Sequence, residues 1–224
     1  MERPRSPRRR RIWAIGGLFV WGVLGTSGLV ALSARGATVG RSAVAPQELP
    51  VGAELTSRFR TAGRATLVVV AHPACPCTRA TFRALERLRG TIPFGRQSAD
   101  GLDVVVLFAG SRAGASALAD RVAGELRAQA RDIPGVRIID DPGGVAASRL
   151  GARTSGTVLF YDRSGSLRFN GGITPGRGHE GDSHGADALR ALLQGETAAG
   201  AAGATSTTHA APVFGCELAD RDKQ

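Results

Sequence analysis

The sequence predicts an α/β domain, a sheet covered by helices on both faces, preceded by one N-terminal transmembrane helix. Residues 12–34 contain no ionisable side chain, which is typical of a membrane span. Residues 65–72 and 103–110 are continuous apolar runs, as in strands buried on both faces, and helical patterns alternate with the strands. The expected regions are a basic stub (1–11), an anchor (12–34), a linker (35–63), the α/β domain (64–195) and a flexible tail with an apolar cysteine-containing segment (196–224).

The apolar span is long enough to cross a bilayer as a helix. Its 23 residues reach about 34 Å, against a hydrocarbon core of about 30 Å. Trp13 lies at one edge, and four consecutive arginines, residues 8–11, precede the span. Basic residues favour the cytoplasmic side, so we expect a single-pass protein of the cell membrane with its C-terminal domain in the periplasm.

A cleaved signal peptide is the alternative interpretation of the same segment. Small residues near Ala31 and Ser33 could be recognised by a signal peptidase. The apolar core of a signal peptide is usually about 7 to 15 residues long, which is shorter than this run. The length therefore favours an uncleaved anchor.

The net charge of +10 does not indicate nucleic-acid binding, because half of it lies in the basic stub. Residues 1–11 hold six arginines against Glu2, which gives +5. Elsewhere arginine is interleaved with acidic residues, and basic and aromatic residues do not alternate as single-stranded nucleic acid requires. We therefore expect no nucleic-acid partner.

Periodicity and turn residues define the elements between residues 65 and 193. Helix-like spacing in residues 111–130 places Ala115, Leu118, Val122 and Leu126 on one face. Residues 157–162 and 167–171 flank a turn and predict an antiparallel hairpin. The predicted order is strand 65–72, helix 78–89, strand 103–110, helix 111–130, strand 136–140, short helix 145–150, the hairpin, and helix 187–193.

Two cysteines follow the first predicted strand, at the start of a helix. Free backbone N–H groups and the helix dipole at that position favour a thiolate, the reactive form of cysteine. Arg79, and His72 when protonated, would act in the same direction. Our hypothesis is that Cys75 attacks a disulfide and Cys77 resolves the product, although the residues also allow the reverse. An inert buried pair is the structural alternative.

The third cysteine lies in a short apolar segment, residues 213–218, after a low-complexity stretch. A solvated tail has no need for such a segment, so we expect it to dock on the domain. Docking would bury Phe214 and bring Cys216 towards Cys75 and Cys77, as a third thiol or a metal ligand. The alternative is a free thiol on a disordered tail.

The loop His72-Pro73-Ala74-Cys75-Pro76-Cys77, the strand before it, the order of elements and the anchor resemble membrane-bound thiol reductases of the thioredoxin superfamily. The nearer likeness is to RedB-type proteins, which combine such a loop with a late Phe-Gly-Cys segment, here residues 214–216. The resemblance covers residues 65–218. It implies a thioredoxin-like fold and thiol–disulfide chemistry at Cys75 and Cys77.

The chain departs from thioredoxin at two places. The Trp-Cys-Gly-Pro-Cys loop is replaced by Pro-Ala-Cys-Pro-Cys. Where the family places a cis-proline, opposite the reactive cysteine, this chain has Thr154-Ser155-Gly156. We expect Gly156 to allow the backbone of a substrate to approach closely.

The polar segment 177–184 contains two histidines, His179 and His184. Sulfur and imidazole ligands suit Cu(I) or zinc, so Cys75, Cys77 and His179 form a candidate metal site. The alternative is a solvated glycine-rich loop that precedes a helix.

The sequence therefore favours an extracytoplasmic thiol–disulfide oxidoreductase that needs no cofactor and acts on the thiols or disulfides of extracytoplasmic proteins. Two other activities stay open, a copper-binding metallochaperone and a thiol peroxidase that uses Cys75. A docking domain without chemistry is a further alternative.

Overall fold

The computed structural model describes residues 7–49, 63–75, 77–91, 94–95, 102–110, 117–199 and 207–218. The chain forms two compact units, residues 1–38 and 39–224. The first contains one helix, α1 (Pro7–Gly36). None of the residues in its apolar part, Ile15–Ala34, is buried, and this part has the length and composition of a membrane span. The predicted candidate span is therefore confirmed, although this window begins at Ile15 and not at Ile12.

The second unit is built on a sheet with the order β3-β2-β1-β4-β5-β6. Strands β1 and β2 are parallel, as are β2 and β3, while β4 runs antiparallel to β1 and to β5. The predicted antiparallel hairpin is thus confirmed. The strands are β1 (Thr66–Ala71), β2 (Asp103–Ala109), β3 (Val136–Asp141), β4 (Thr157–Tyr161), β5 (Leu167–Gly171) and β6 (His209–Ala210).

Helices pack on both faces of this sheet. Alternate residues of β1 point to opposite faces of the sheet. Leu67 and Val69 pack in one apolar cluster, and Val68 and Val70 pack in the other. A mixed sheet with flanking helices confirms the expected thioredoxin-like fold. The helices are α2 (Cys77–Arg89), α3 (Ala117–Asp132), α4 (Val145–Arg149) and α5 (His184–Ala199).

The predicted apolar face of α3 is correct only in its second half. Leu126 and Ala130 are buried, Val122 is half-buried, and Leu118 is 68% exposed. Residues four apart rotate by about 40° per step around a helix, so Leu118 has turned away from the face that Ala130 buries. Ala115 lies outside the described residues.

Two segments expected to be loose are packed in part. Ala45 and Leu49, from the predicted linker, are buried, and the Leu49 N–H donates to the Gly165 carbonyl at 3.0 Å. Helix α5 continues to Ala199, past the expected domain end at residue 195. The predicted tail adds β6 to the sheet, parallel to β5.

Candidate thiol site

Cys75 and Cys77 lie at the junction between β1 and α2. The Cys75 N–H donates to the His72 carbonyl at 3.2 Å, and the Thr78 N–H donates to the Cys75 carbonyl at 3.0 Å. Cys75 is therefore the residue from which the first turn of α2 starts, and Cys77 is the first helical residue. Both side chains are buried. This is the position that the sequence predicts for Cys75.

The third cysteine lies beside this pair. The Sγ atoms of Cys75 and Cys216 are 2.7 Å apart. All three sulfurs lie within 4.8 Å of one another, and all three are free thiols. The predicted approach of Cys216 to the other cysteines is confirmed.

Main-chain hydrogen bonds hold the segment that carries Cys216, residues 213–218. The Ser155 N–H donates to the Cys216 carbonyl, and the Leu218 N–H donates to the Arg153 carbonyl, each at 2.8 Å. Thr154 and Glu217 thereby form an antiparallel β-bridge. The segment thus lies antiparallel against the loop that precedes β4, joined to it by this single bridge.

Val213 and Leu218 anchor this segment, with exposed fractions of 3% and 6%. Phe214 is only half-buried. Its side chain lines an open groove of about 400 Å³, together with Thr174, His184 and Pro212. The expectation that docking buries Phe214 is therefore wrong: Phe214 lies at a groove, and the two aliphatic side chains are the buried ones.

A buried serine joins the cysteine loop to the loop before β4. The Ser155 hydroxyl accepts the His72 N–H at 2.9 Å and lies 3.1 Å from the Thr78 hydroxyl. Thr78 in turn donates to the His72 carbonyl at 3.2 Å. In the sequence Ser155 stands out only as part of the segment that replaces the proline, and no local pattern indicates this role.

Gly156 has a left-handed backbone, with φ of +92°, which glycine adopts without steric cost. Its N–H donates to the Val70 carbonyl at 2.7 Å. An added Cβ would lie 3.3 Å from the Thr81 hydroxyl and 3.6 Å from the Phe214 carbonyl oxygen. The backbone that approaches Gly156 is therefore that of the chain's own tail. The described residues contain no cis peptide bond.

Three other predicted site residues have structural contacts. The His72 Nδ1 accepts the Ala74 N–H at 3.2 Å, so the ring supports the turn that carries Cys75. Pro73 is buried in the same turn. Arg79 pairs with Glu125 at 3.1 Å, and both side chains are 54% exposed. The charge of Arg79 is thus held at the surface by a carboxylate. This argues against the expectation that Arg79 favours the thiolate form of Cys75.

His179 is not part of the sulfur cluster. Its side chain is exposed, and its Nδ1 lies 3.0 Å from the Arg177 carbonyl. The candidate metal ligands are therefore Cys75, Cys77 and Cys216, and not the predicted set with His179. The tail places the sulfur of Cys216 beside the other two, where an imidazole was expected. His184 begins α5 and lines the open groove beside Phe214.

The electrostatics favour one thiolate, on Cys75. Hydrogen bonds from Cys216 and Cys77 hold the pKa of the Cys75 thiol far below its ordinary value, against the opposing effect of burial. The hydrogen bond with Cys216, and after it that with Cys75, raises the pKa of Cys77. The hydrogen bond with Cys75 raises the pKa of Cys216, against the opposing effect of its hydrogen bond with Cys77. The positive charge of Arg177 acts in the opposite direction and lowers the pKa of Cys216. No local pattern in the sequence indicates this effect of Arg177, because Cys216 lies far from it along the chain.

No protein-family model and no curated protein matches the chain. Among solved structures, it is similar to a hypothetical protein from Sinorhizobium meliloti 1021, with 23% identity, a TM-score of 0.54 and coverage of 81% of this chain and 93% of that one. An uncharacterized conserved protein from Geobacillus kaustophilus has 17% identity, a TM-score of 0.54 and coverage of 84% and 94%. These two likenesses support the fold alone.

A secreted disulfide oxidoreductase from Mycobacterium tuberculosis also aligns with the chain. The identity is 15% and the TM-score 0.39, over 59% of this chain and 82% of that one. The assignment of an activity to this chain therefore depends on its own thiols.

Proposed function

We propose that this chain is a membrane-anchored, extracytoplasmic thiol–disulfide oxidoreductase with Cys75 as its nucleophile. The observation that supports this most directly is the cluster of three thiols at the start of α2, within 4.8 Å of one another. Among them Cys75 is the thiol whose pKa the other two lower. A thiolate beside further thiols is the arrangement that disulfide exchange requires.

The reaction we propose is a two-step exchange. The Cys75 thiolate attacks one sulfur of a partner protein's disulfide, and the other partner sulfur leaves as a thiolate. A second thiolate of this chain then attacks the Cys75 sulfur, which forms an intrachain disulfide and releases the partner with both its sulfurs reduced. Two electrons pass from two thiols of this chain to the partner disulfide. An extracytoplasmic dithiol donor reverses the oxidation of the chain.

We assign the second step to Cys216 before Cys77. The Cys216 Sγ is 2.7 Å from the Cys75 Sγ. Because an S–S bond is about 2.05 Å long, closure needs a movement of about 0.7 Å. This revises the role expected for Cys77, which becomes the third thiol of the cluster and contributes a hydrogen bond to Cys75.

Helix α1 supports an extracytoplasmic location for the chemistry. Ile15–Ala34 can span a bilayer, and four arginines precede it. With the basic stub on the cytoplasmic side, the thiols would face an oxidising compartment in which protein disulfides persist. The domain layout is then a stub, an anchor and a thioredoxin-like domain that includes the docked tail.

The test uses the full-length chain in detergent micelles, reduced and then mixed with a model protein disulfide. Cys75→Ser should lose exchange completely, because the attacking atom is gone. Cys216→Ser should accumulate a mixed disulfide at Cys75, while Cys77→Ser should trap less of it. Mass spectrometry under non-reducing conditions measures each species. Full exchange by Cys75→Ser would refute the function, and trapping only in Cys77→Ser would restore the original assignment.

Soft-metal binding is the second candidate, favoured by the same three sulfurs. Three thiolates form a donor set that suits Cu(I), and Cys75, Cys77 and Cys216 would hold the ion. Titration of the reduced chain with Cu(I) against a competing chelator tests this. Retention of one ion by the wild type, with loss in each single Cys→Ser variant and not in His179→Ala, would support the copper function.

A further inference from the structure

The loop before β4 binds the chain's own C-terminal segment through its main chain. A donor on Ser155 and an acceptor on Arg153 each form a hydrogen bond with the segment's backbone, at 2.8 Å. The opposite side of Ser155 is fixed to the cysteine loop through its hydroxyl. The edge is therefore rigid, and its backbone hydrogen bonds do not depend on the side chains of the segment that it holds.

The residue before the cysteine of this segment has to be glycine. A Cβ built on Gly215 would lie 1.8 Å from the Ser155 carbonyl oxygen and 3.3 Å from the Thr154 Cγ2. Any larger residue would push the segment off the edge. The close approach of Gly215 is also what places the next residue, Cys216, with its sulfur against Cys75.

We propose that the edge formed by Arg153–Ser155 is the substrate-binding site, and that it takes an extended segment of a partner protein in which glycine precedes the reactive cysteine. Residues 213–218 occupy that site as an internal substitute for the partner. This inference rests on the proposed function and adds the class of substrate to it.

Substrate and tail then compete for one place. When the tail leaves, a partner's Gly-Cys segment makes the same two main-chain hydrogen bonds and sets its cysteine sulfur against Cys75. The Cys75 thiolate attacks that sulfur, and the second sulfur of the partner disulfide leaves as a thiolate. The partner segment then leaves the edge while its cysteine stays bonded to Cys75. Return of the tail to the vacated edge brings the Cys216 thiolate onto the Cys75 sulfur, and the new intrachain bond releases the partner cysteine as a thiolate.

The experiment follows the first step alone, with two peptides that differ by one methyl group. The first peptide is Pro-Val-Phe-Gly-Cys-Glu-Leu, which copies residues 212–218, and the second has alanine in place of the glycine before cysteine. In both peptides the cysteine is joined to an aryl thiol as an activated disulfide. Release of the aryl thiolate gives the rate of attack, and peptide mapping by mass spectrometry measures the share of the mixed disulfide that forms at Cys75. A small aryl disulfide without peptide measures the reactivity of Cys75 itself. The reduced full-length chain is used as wild type, Gly215→Ala and Glu217→Ala.

In Gly215→Ala the tail should leave the edge. The glycine peptide should then react at least about tenfold faster than the alanine peptide, because overpacking at this close contact weakens binding of the alanine peptide by that factor. The wild type should react with the glycine peptide more slowly than Gly215→Ala does. Glu217→Ala should match the wild type, since the Glu217 side chain is exposed and the main-chain bonds remain.

Equal rates for the two peptides in Gly215→Ala, with the aryl disulfide still reacting, would overturn the inference and leave the proposed function intact. No reaction of Cys75 with the aryl disulfide would overturn both. If Gly215→Ala fails to fold, Leu218→Ala opens the tail by loss of an apolar anchor and gives the same comparison of peptides.

Discussion

Leu218→Ala should release the C-terminal segment without unfolding the domain. Leu218 is 6% exposed and packs in the apolar cluster that contains Ala45, Leu49 and Leu159. Burial of a leucine side chain contributes about 2 to 3 kcal/mol, and its removal leaves a cavity beneath a segment held otherwise by main-chain hydrogen bonds and Val213. At 1.4 kcal/mol per tenfold, the open form should increase by about 30- to 140-fold.

Thiol labelling of Cys216 measures this opening directly. In the reduced full-length chain Cys216 is half-buried and its sulfur lies against that of Cys75, so a bulky alkylating reagent should react with it much faster once the segment undocks. The labelling rate then follows the open fraction as long as closing is faster than reaction. Peptide mapping by mass spectrometry separates Cys216 from the other two thiols. Hydrogen exchange at the amides of Ser155 and Leu218 should increase by a similar factor.

Glu217→Ala is the matched control, since it shortens a neighbouring side chain that is 58% exposed and leaves the buried contacts unchanged. Its labelling rate should stay within about twofold of the wild type, because an exposed ion pair contributes little. The reasoning is refuted if Leu218→Ala labels Cys216 at the wild-type rate. It is also refuted if the substitution exposes the buried amides of β1 to the same degree, since the tail would then be inseparable from the core.

Three further substitutions or conditions test the site. Ser155→Ala removes the acceptor of the His72 N–H and should lower the free energy of unfolding by about 1 to 3 kcal/mol, measured by urea denaturation in detergent; an unchanged midpoint contradicts the buried network. Gly156→Ala should lower the free energy of unfolding more than Gly178→Ala does. Both glycines have positive φ, but of the two only Gly156 would bring an added Cβ within 4 Å of other atoms. Equal losses of stability would show that these neighbours do not matter. Because the pKa of Cys75 is lowered, its alkylation rate should stay nearly constant as the pH falls below about 8.5, whereas an ordinary thiol slows tenfold per unit; a Cys75 that slows in this way lacks the proposed thiolate.

Local patterns were sufficient for the elements that frame the site. The apolar run of β1 is buried at every position, and the α2 pattern gave a helix that ends at Arg89, as predicted. Cys75 could be placed between them because a strand end and a helix start are local features of the chain. The antiparallel pairing of β4 and β5 followed in the same way from two short strands and the turn between them.

The docked tail was predicted only in outline. Apolar residues after a low-complexity stretch indicated docking near Cys75, and Cys216 does lie there, 141 residues away along the chain. The edge that receives the tail and the choice of Val213 and Leu218 over Phe214 as anchors depend on the shape of the folded surface. A hydropathy pattern ranks residues by their apolar character and does not contain that shape.

By itself the sequence determined the alternation of strands and helices, the candidate span and the position of Cys75, because each depends on residues close together in the chain. Only the tertiary structure decided which groups surround Cys75. It turned Arg79 towards Glu125, joined Ser155 to His72 and set Cys216 against the nucleophile. Such contacts arise from the directions of side chains on elements far apart in sequence, which are fixed only when the sheet has brought those elements together.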